Sequence, residues 1–219
     1  ISSDRALDFE DLNLLTPGIT WSPNSFSLAI AAKSGGQDAI YIVDAEKGSY
    51  KKYELGFKHI SSLAWSPDGK TIAFVASVNE QPDIYQFTIA TGKAEKITND
   101  LFSDEHPTFS PDGGTLYFVS DRDGLLNGKY DKDSYVMWEH DFKSSDIYSI
   151  SLATKEIKQI TFDKTSKKTS IVVSPSGSSL LFVSDENGIG NIYEQQLETS
   201  AKSALTNSLT GLTQLSMSK

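Results

Sequence analysis

The sequence predicts an all-β protein assembled from repeated four-stranded antiparallel sheets, and three landmarks that recur in step predict it. The first is a turn phrase, "WSPNS", "WSPDG", "FSPDG" and "VSPSG", whose serines are Ser22, Ser66, Ser110 and Ser174, at spacings of 44, 44 and 64 residues. The second is the tyrosine of "AIYIV", "DIYQF", "DIYSI" and "NIYEQ". These tyrosines, Tyr41, Tyr85, Tyr148 and Tyr193, lie 18, 18, 37 and 18 residues after the turn proline. The third is the end of the next apolar segment, at Tyr53, Ile97, Ile160 and Leu205, 12 residues further on in every copy.

Each copy reads as four short strands; in the second copy they are "SSLAW", "TIAFVA", "DIYQFT" and "AEKIT". The runs are β-branched and aromatic, with turn residues between them. Between the first two strands, Pro67 presets φ, Asp68 tolerates the next turn position, and Gly69 accepts the left-handed backbone that closes a tight hairpin. The third and fourth strands are joined by "ATGK" here and by "AEKG" and "ATKE" in other copies. No helical period of apolar residues competes. A four-stranded antiparallel unit recurring about every 44 residues is the signature of a β-propeller blade.

The expected organisation is a single propeller, or part of one, over residues 1–219, with blades at 19–53, 62–98, 106–161 and 170–206 and an insert at 124–143 in the third. Partial strands are expected at both ends. "NLLTPG" resembles the close of a fourth strand, and "LTGLTQLSMSK" resembles the opening of a fifth first strand, with Met217 where Trp65 and Phe109 stand. Two arrangements fit: part of a larger propeller, or a small four- or five-bladed ring closed by its terminal strands. The chain opens at Ile1 with no charged-then-apolar leader, as expected of a processed chain or a piece of a longer one.

Composition narrows the function classes. At 219 residues, 38% hydrophobic and 22% charged, the chain can bury one sizeable core. Its longest apolar run, Ile72–Ala76, is too short to span a membrane as a helix. The absence of cysteine excludes disulfides, Cys-ligated zinc and thiol nucleophiles. A net charge of −9 repels phosphate and argues against nucleic-acid binding. The local exception, "KEIKQITFDKTSKK" at 155–168, reads as a solvated edge strand and loop, since lysines on an edge also block aggregation.

"WSPDGKTIAFVAS…PDIYQFTIATGKAEKITND" and "FSPDGGTLYFVSDRDG…SDIYSISLATKEIKQITFD" resemble the propeller repeats of TolB, the periplasmic component of the bacterial Tol–Pal system. The same repeat type occurs in the propellers of prolyl-oligopeptidase and tricorn-type peptidases. The resemblance covers about residues 17–215; the first copy (Pro-Asn-Ser) and the fourth (Pro-Ser-Gly) depart from the phrase without endangering the fold. It implies a rigid, non-enzymatic platform that binds other proteins in the bacterial cell envelope, periplasmic or otherwise exported. In the peptidases it implies a cap that filters access to a catalytic domain elsewhere in the chain.

The turn phrase is scaffold, because an active site is needed once and a hairpin once per blade. Chemistry is sought where the repeat breaks. The third copy carries "GLLNGKYDKDSYVMWEHDFK" at 124–143, between its second and third strands. Strand direction puts this insert on the same face as the long loops "NDLFSDEHP" and "FDKTSKKTS". Tyr130, Asp131, Asp133, Tyr135, Trp138, Glu139 and His140 are the candidate partner-binding residues, since exposed aromatics beside charges suit a protein contact. Asp121, Asp123, Asp131 and Asp133 are weaker candidates for Ca²⁺, with spacing unlike an EF-hand loop.

No catalytic residue and no cofactor is predicted. His59, His106 and His140 are scattered without His-Glu-x-x-His, Gly-x-Ser-x-Gly is absent, and no glycine-rich phosphate loop leads into a helix. Asp83, Asp146 and Asn191, each before an Ile-Tyr pair, read as backbone-bonding groups because they repeat. A polysaccharide-cleaving propeller is a third, weaker reading.

Overall fold

The structure is a computed structural model that describes residues 11–12, 18–78, 81–126, 136, 140, 142 and 144–217. Among them every regular element is a strand, and the strands form four antiparallel sheets. The first sheet comprises β1 (Asp11–Leu12), β2 (Ile19–Trp21), β3 (Ser27–Ser34), β4 (Gln37–Asp44) and β5 (Tyr50–Glu54). The second comprises β6 (Ile60–Trp65), β7 (Thr71–Val78), β8 (Gln81–Thr88) and β9 (Lys93–Lys96). The third holds β10 (Asp104–Phe109), β11 (Thr115–Ser120), β12 (Asp146–Ser151) and β13 (Ile157–Gln159). The fourth holds β14 (Lys168–Val173), β15 (Ser179–Ser184), β16 (Asn191–Gln196) and β17 (Lys202–Ala204). Each is a meander in chain order, the blade topology of a β-propeller. In the first, β1 and β2 share the edge of β3, Asp11 opposite Lys33 and Trp21 opposite Leu28.

The chain divides into two compact units, Ile1–Asn99 and Asp100–Lys219. In the first unit, Ala29, Ala31 and Ile40 of one sheet pack against Ile60, Ile72, Phe74 and Phe87 of the next. In the second unit, Val119 and Ile147 pack against Ile171, Leu180, Phe182 and Tyr193. Each fully buried Phe contributes roughly 1.5–3 kcal/mol relative to exposure.

The repeated serine is the least replaceable atom set of the turn. Ser66 Oγ accepts the Thr71 N–H at 3.0 Å and donates to Asp68 Oδ1 at 2.7 Å, while Asp68 Oδ1 accepts the Lys70 N–H at 3.0 Å. Ser110 repeats this with Thr115, Asp112 and Gly114. Ser22 repeats it with Ser27, Asn24 and Phe26, and Ser174 bonds the Ser179 N–H at 3.0 Å. Only a short hydroxyl can accept one strand's N–H while donating to the turn's own side chain. The next position is left-handed in all four: Gly69, Gly113 and Gly177 at φ 73 to 74°, and Ser25 at φ 61°. Only Ser25 adopts that backbone with a Cβ.

A second repeated device lies in the first strand of the second, third and fourth sheets. A bulge interrupts the pairing between Ser61 and Ala64, Glu105 and Thr108, and Thr169 and Val172. The extra residue has positive φ: Ser62 at 51°, His106 at 52° and Ser170 at 52°. His106 is thus a bulge residue, and burial holds its imidazole below its ordinary pKa.

Strand closure repeats as well. Thr98, Thr161 and Thr206 Oγ1 accept the N–H groups of Ile84, Ile147 and Ile192 at 2.8 to 3.0 Å. Thr161 and Thr206 donate in turn to Asp146 and Asn191, which also accept the N–H of Asp163 and Ser208. The side chain before the Ile-Tyr pair therefore ties the third strand to the end of the fourth. Beyond β17, residues 211–217 join no ladder; Leu212 N–H bonds Gly190 O at 2.8 Å and Leu215 N–H bonds Ser170 Oγ at 2.7 Å.

A candidate protein-contact face on the third sheet

Antiparallel strands put the β11–β12 connection and the loops before β10 and β14 at the same end of their sheets. Three contacts tie that end together. Asp121 Oδ1 accepts the Ser103 N–H at 2.9 Å. Asp123 accepts Lys164 Nζ at 2.9 Å, and His140 lies against Phe102 with ring centroids 5.6 Å apart. The root of the insert is a tight turn: Leu125 N–H bonds Arg122 O at 2.8 Å across Asp123 (φ 45°) and Gly124 (φ 78°). Gly124 N–H is anchored in turn on Tyr148 Oη at 2.8 Å. Left-handed backbone at both central residues defines a type I′ turn, for which Asp-Gly is a preferred pair.

Beneath the turn, Arg122 is completely buried. Its Nη1 lies 3.0 Å from Asp100 Oδ2, its Nη2 2.5 Å from Asp104 Oδ1, and its Nε donates to Ser120 Oγ at 2.9 Å. The rings of Phe102, Phe118 and Tyr148 stand 5.3 to 5.6 Å from the guanidinium. Two carboxylates share one guanidinium. Burial pushes the Asp104 carboxyl up to about 6, Arg122 opposes that rise, and the neighbouring Asp100 adds to it. Burial also raises Tyr148 and Asp121, the latter against the pull of the Ser103 N–H. This cluster fixes the place from which the insert leaves the sheet.

Of the candidate contact residues, Tyr130, Asp131, Asp133, Tyr135, Trp138 and Glu139 lie outside the described residues. His140 is described, between Phe102 and Phe142, whose centroids are 5.6 and 4.7 Å away. Phe142 is 51% exposed. The calcium candidates divide the same way: Asp121 and Asp123 are engaged as above, and Asp131 and Asp133 are not described. No group of three or more metal-ligating side chains converges among the described residues.

The basic stretch 155–168 is not uniformly solvated as expected. Lys158 and Lys164 have 66% and 75% of their side chains exposed, but Lys168 has 1%. Its Nζ reaches Asp146 Oδ1 at 3.1 Å, Asp163 Oδ2 at 3.4 Å and Asp163 O at 3.0 Å. Burial alone would raise Asp163, yet bonds from Ser166 and Thr165, with the Lys168 charge, hold it well below the usual carboxylate range. Sequence reasoning missed both buried cations. The one available signal was register: Lys168 stands six residues before its turn serine, where the second copy has the apolar Ile60.

Four-stranded meander sheets closed by Ser-Pro turns define a β-propeller repeat protein. The chain belongs to the family of the TolB beta propeller domain, whose family model matches residues 13–127. Among solved structures it is similar to TolB from Acinetobacter baumannii (24% identity, TM-score 0.68), covering 90% of this chain and 45% of that one. A protein assigned as TolB from Agrobacterium tumefaciens matches at 22% identity and TM-score 0.73, over 91% of this chain and 68% of that one. The tricorn protease matches at 17% identity and TM-score 0.65, over 92% of this chain and 23% of that one. This chain therefore spans a little under half the length of the Acinetobacter protein. No curated protein matches it in sequence.

Proposed function

We propose that this chain is a non-enzymatic, protein-binding scaffold of the bacterial cell envelope, a single propeller or a part of one, whose contact face is the loop end of the third sheet. The observation that supports the reading is the insert between β11 and β12, the one long break in a four-copy repeat, rooted on a buried ion cluster. A hairpin scaffold has no need of about twenty extra residues there, whereas loops held by a rigid frame are where recognition concentrates. Membership of the TolB propeller family supports the envelope location and a protein partner. The insert's Trp138 and tyrosines are the contact residues, because aromatics offer large area at low entropy cost.

The test is capture of envelope proteins by the immobilised chain, with and without Trp138→Ala and with residues 127–141 replaced by a short glycine linker. Partner capture falls in both variants while thermal unfolding stays unchanged. Equal capture by all three proteins overturns this site. The likeness to the tricorn propeller supports a second reading, a gating domain for a peptidase. Gly-x-Ser-x-Gly followed by Asp and His in the parent gene would decide for it.

A further inference from the structure

The phase of the repeat picks out one more position. Two residues past Tyr53, Ile97, Ile160 and Leu205 stand Leu55, Asn99, Phe162 and Asn207; Leu55 packs against its core, and Phe162 does not. Phe162 is 74% exposed, so the fold gains little from it. It borders an open groove of about 630 Å³ lined also by Leu126, by Ile157 and Gln159 of β13, and by Lys155 and Lys158.

Part of the groove's lining is a strand edge. β13 is the last strand of its sheet and pairs only with β12 among the described residues. Ser151 N–H bonds Glu156 O, and Ile160 N–H bonds Ile147 O, which turns the main chain of 156, 158 and 160 toward β12. The alternation of an antiparallel ladder then turns the N–H and C=O of Ile157 and Gln159, two residues that line the groove, away from β12 and toward the open edge of the sheet. Such an edge accepts a further extended strand through main-chain bonds, with side-chain pockets adding selectivity.

Charge defines what fits. Residues 155–168 contain five lysines against Glu156 and Asp163, in a chain of net charge −9. Lys168 is engaged by Asp146 and Asp163, and Asp123 takes Lys164. In the groove itself Lys155 and Lys158 stand against Glu156, which lies 3.6 Å from Lys158 with both side chains largely in water, so the lining carries one net positive charge beside an exposed aromatic. We propose that the β13 edge and the Phe162 groove bind an extended acidic peptide segment of a partner protein, which adds as a fifth strand to the third sheet. Its apolar residue packs on Phe162 and Leu126, and its carboxylates face Lys155 and Lys158. This rests on the reading of the chain as a protein-binding scaffold and names the partner's chemistry at one site.

The experiment is fluorescence anisotropy on the 219-residue chain with a labelled, acetylated peptide of sequence Glu-Val-Asp-Phe-Asp-Val-Glu. Binding is saturable and weakens with added salt. It weakens by about tenfold or more in Phe162→Ser and in Lys158→Glu, because each removes a central contact. It is lost when alternate peptide nitrogens are methylated or when lysine replaces every acid. Circular dichroism checks that both variants keep the fold. No saturable binding, or binding that survives methylation, charge reversal or Phe162→Ser, overturns the proposal. Failure of the peptide while insert-dependent capture persists removes this site alone. Peptide binding with capture indifferent to the insert removes the insert reading instead.

Discussion

Asp104→Asn tests the ion cluster beneath the insert. Asp104 and Asp100 face a single guanidinium in a place with no exposure, so ionising Asp104 adds charge beside Asp100 where water cannot screen it. Burial therefore pushes Asp104 from its ordinary 3.8 up to about 6. At about 1.36 kcal/mol per pKa unit, that rise corresponds to about 3 kcal/mol. The sign follows from proton counts. Between about pH 4 and pH 6 the native state holds a proton that the unfolded chain has released, so stability falls as pH rises through this window. Asparagine keeps an oxygen for Arg122 Nη2 and removes the extra charge. The stability of the variant relative to the parent should therefore climb by up to about 3 kcal/mol from pH 4 to pH 7. Urea unfolding followed by tryptophan fluorescence at half-unit pH steps measures it. Taking the difference between the two proteins cancels the carboxylates outside the cluster. A difference that is flat with pH, or that shrinks as pH rises, refutes the shared-guanidinium argument.

The hairpins yield two further tests. Ser25 holds φ 61° where the other copies have glycine, so Ser25→Gly raises stability by about 0.5–1 kcal/mol, the relief of left-handed strain less glycine's unfolded-state entropy. Gly69→Ala lowers it by about 0.5–1 kcal/mol, the same two terms with the sign reversed, since its Cβ would meet only Pro23 Cδ at 4.0 Å. Thermal melts of the pair decide; equal and opposite failure of both signs would dismiss the turn geometry. Ser66→Ala leaves the Thr71 N–H and Asp68 without their shared hydroxyl and costs about 1–2 kcal/mol by urea midpoint, while Ser66→Thr recovers part of the loss.

The fold was legible because each decisive residue occurs several times. Four serines, four tyrosines and four strand ends in one phase leave little freedom for any other pairing: the serines stand in the turns, the tyrosines in the third-strand ladders, and the end landmarks within or next to the fourth strands. The hydroxyl geometry of Ser66 and the bulges at Ser62, His106 and Ser170 were less legible. A bulge needs only one residue in left-handed backbone, and serine or histidine at that place carries no pattern that periodicity detects. The insert was legible as the break in the repeat at 124–143, but the ion cluster at its root was not. Arg122 and Lys168 look like ordinary surface cations in a string of polar residues, and only the tertiary fold surrounds them with Asp100, Asp104, Asp146 and Asp163.

One register position separates departures that serve the fold from those that do not. Six residues before the turn serine stand Ile60, Asp104 and Lys168, all buried to within 1%. The backbone dictates that burial, and the side chain placed there must be satisfied by its neighbours. Isoleucine needs only packing. Asp104 needs Arg122 from the β11–β12 connection, and Lys168 needs Asp146 and Asp163 from β12 and the loop after β13. A charge at that position without its partner would cost several kcal/mol, so each substitution comes with a matching one nearby. Phe162 departs from the repeat in the opposite way. It stands where the second and fourth copies have asparagine and the first has the packed Leu55, has 74% of its surface in water, and brings no compensating change that the sheet requires. A large aromatic retained where folding draws little from it is better accounted for by something that covers it. The strand edge and the lysines beside it point to an extended acidic segment.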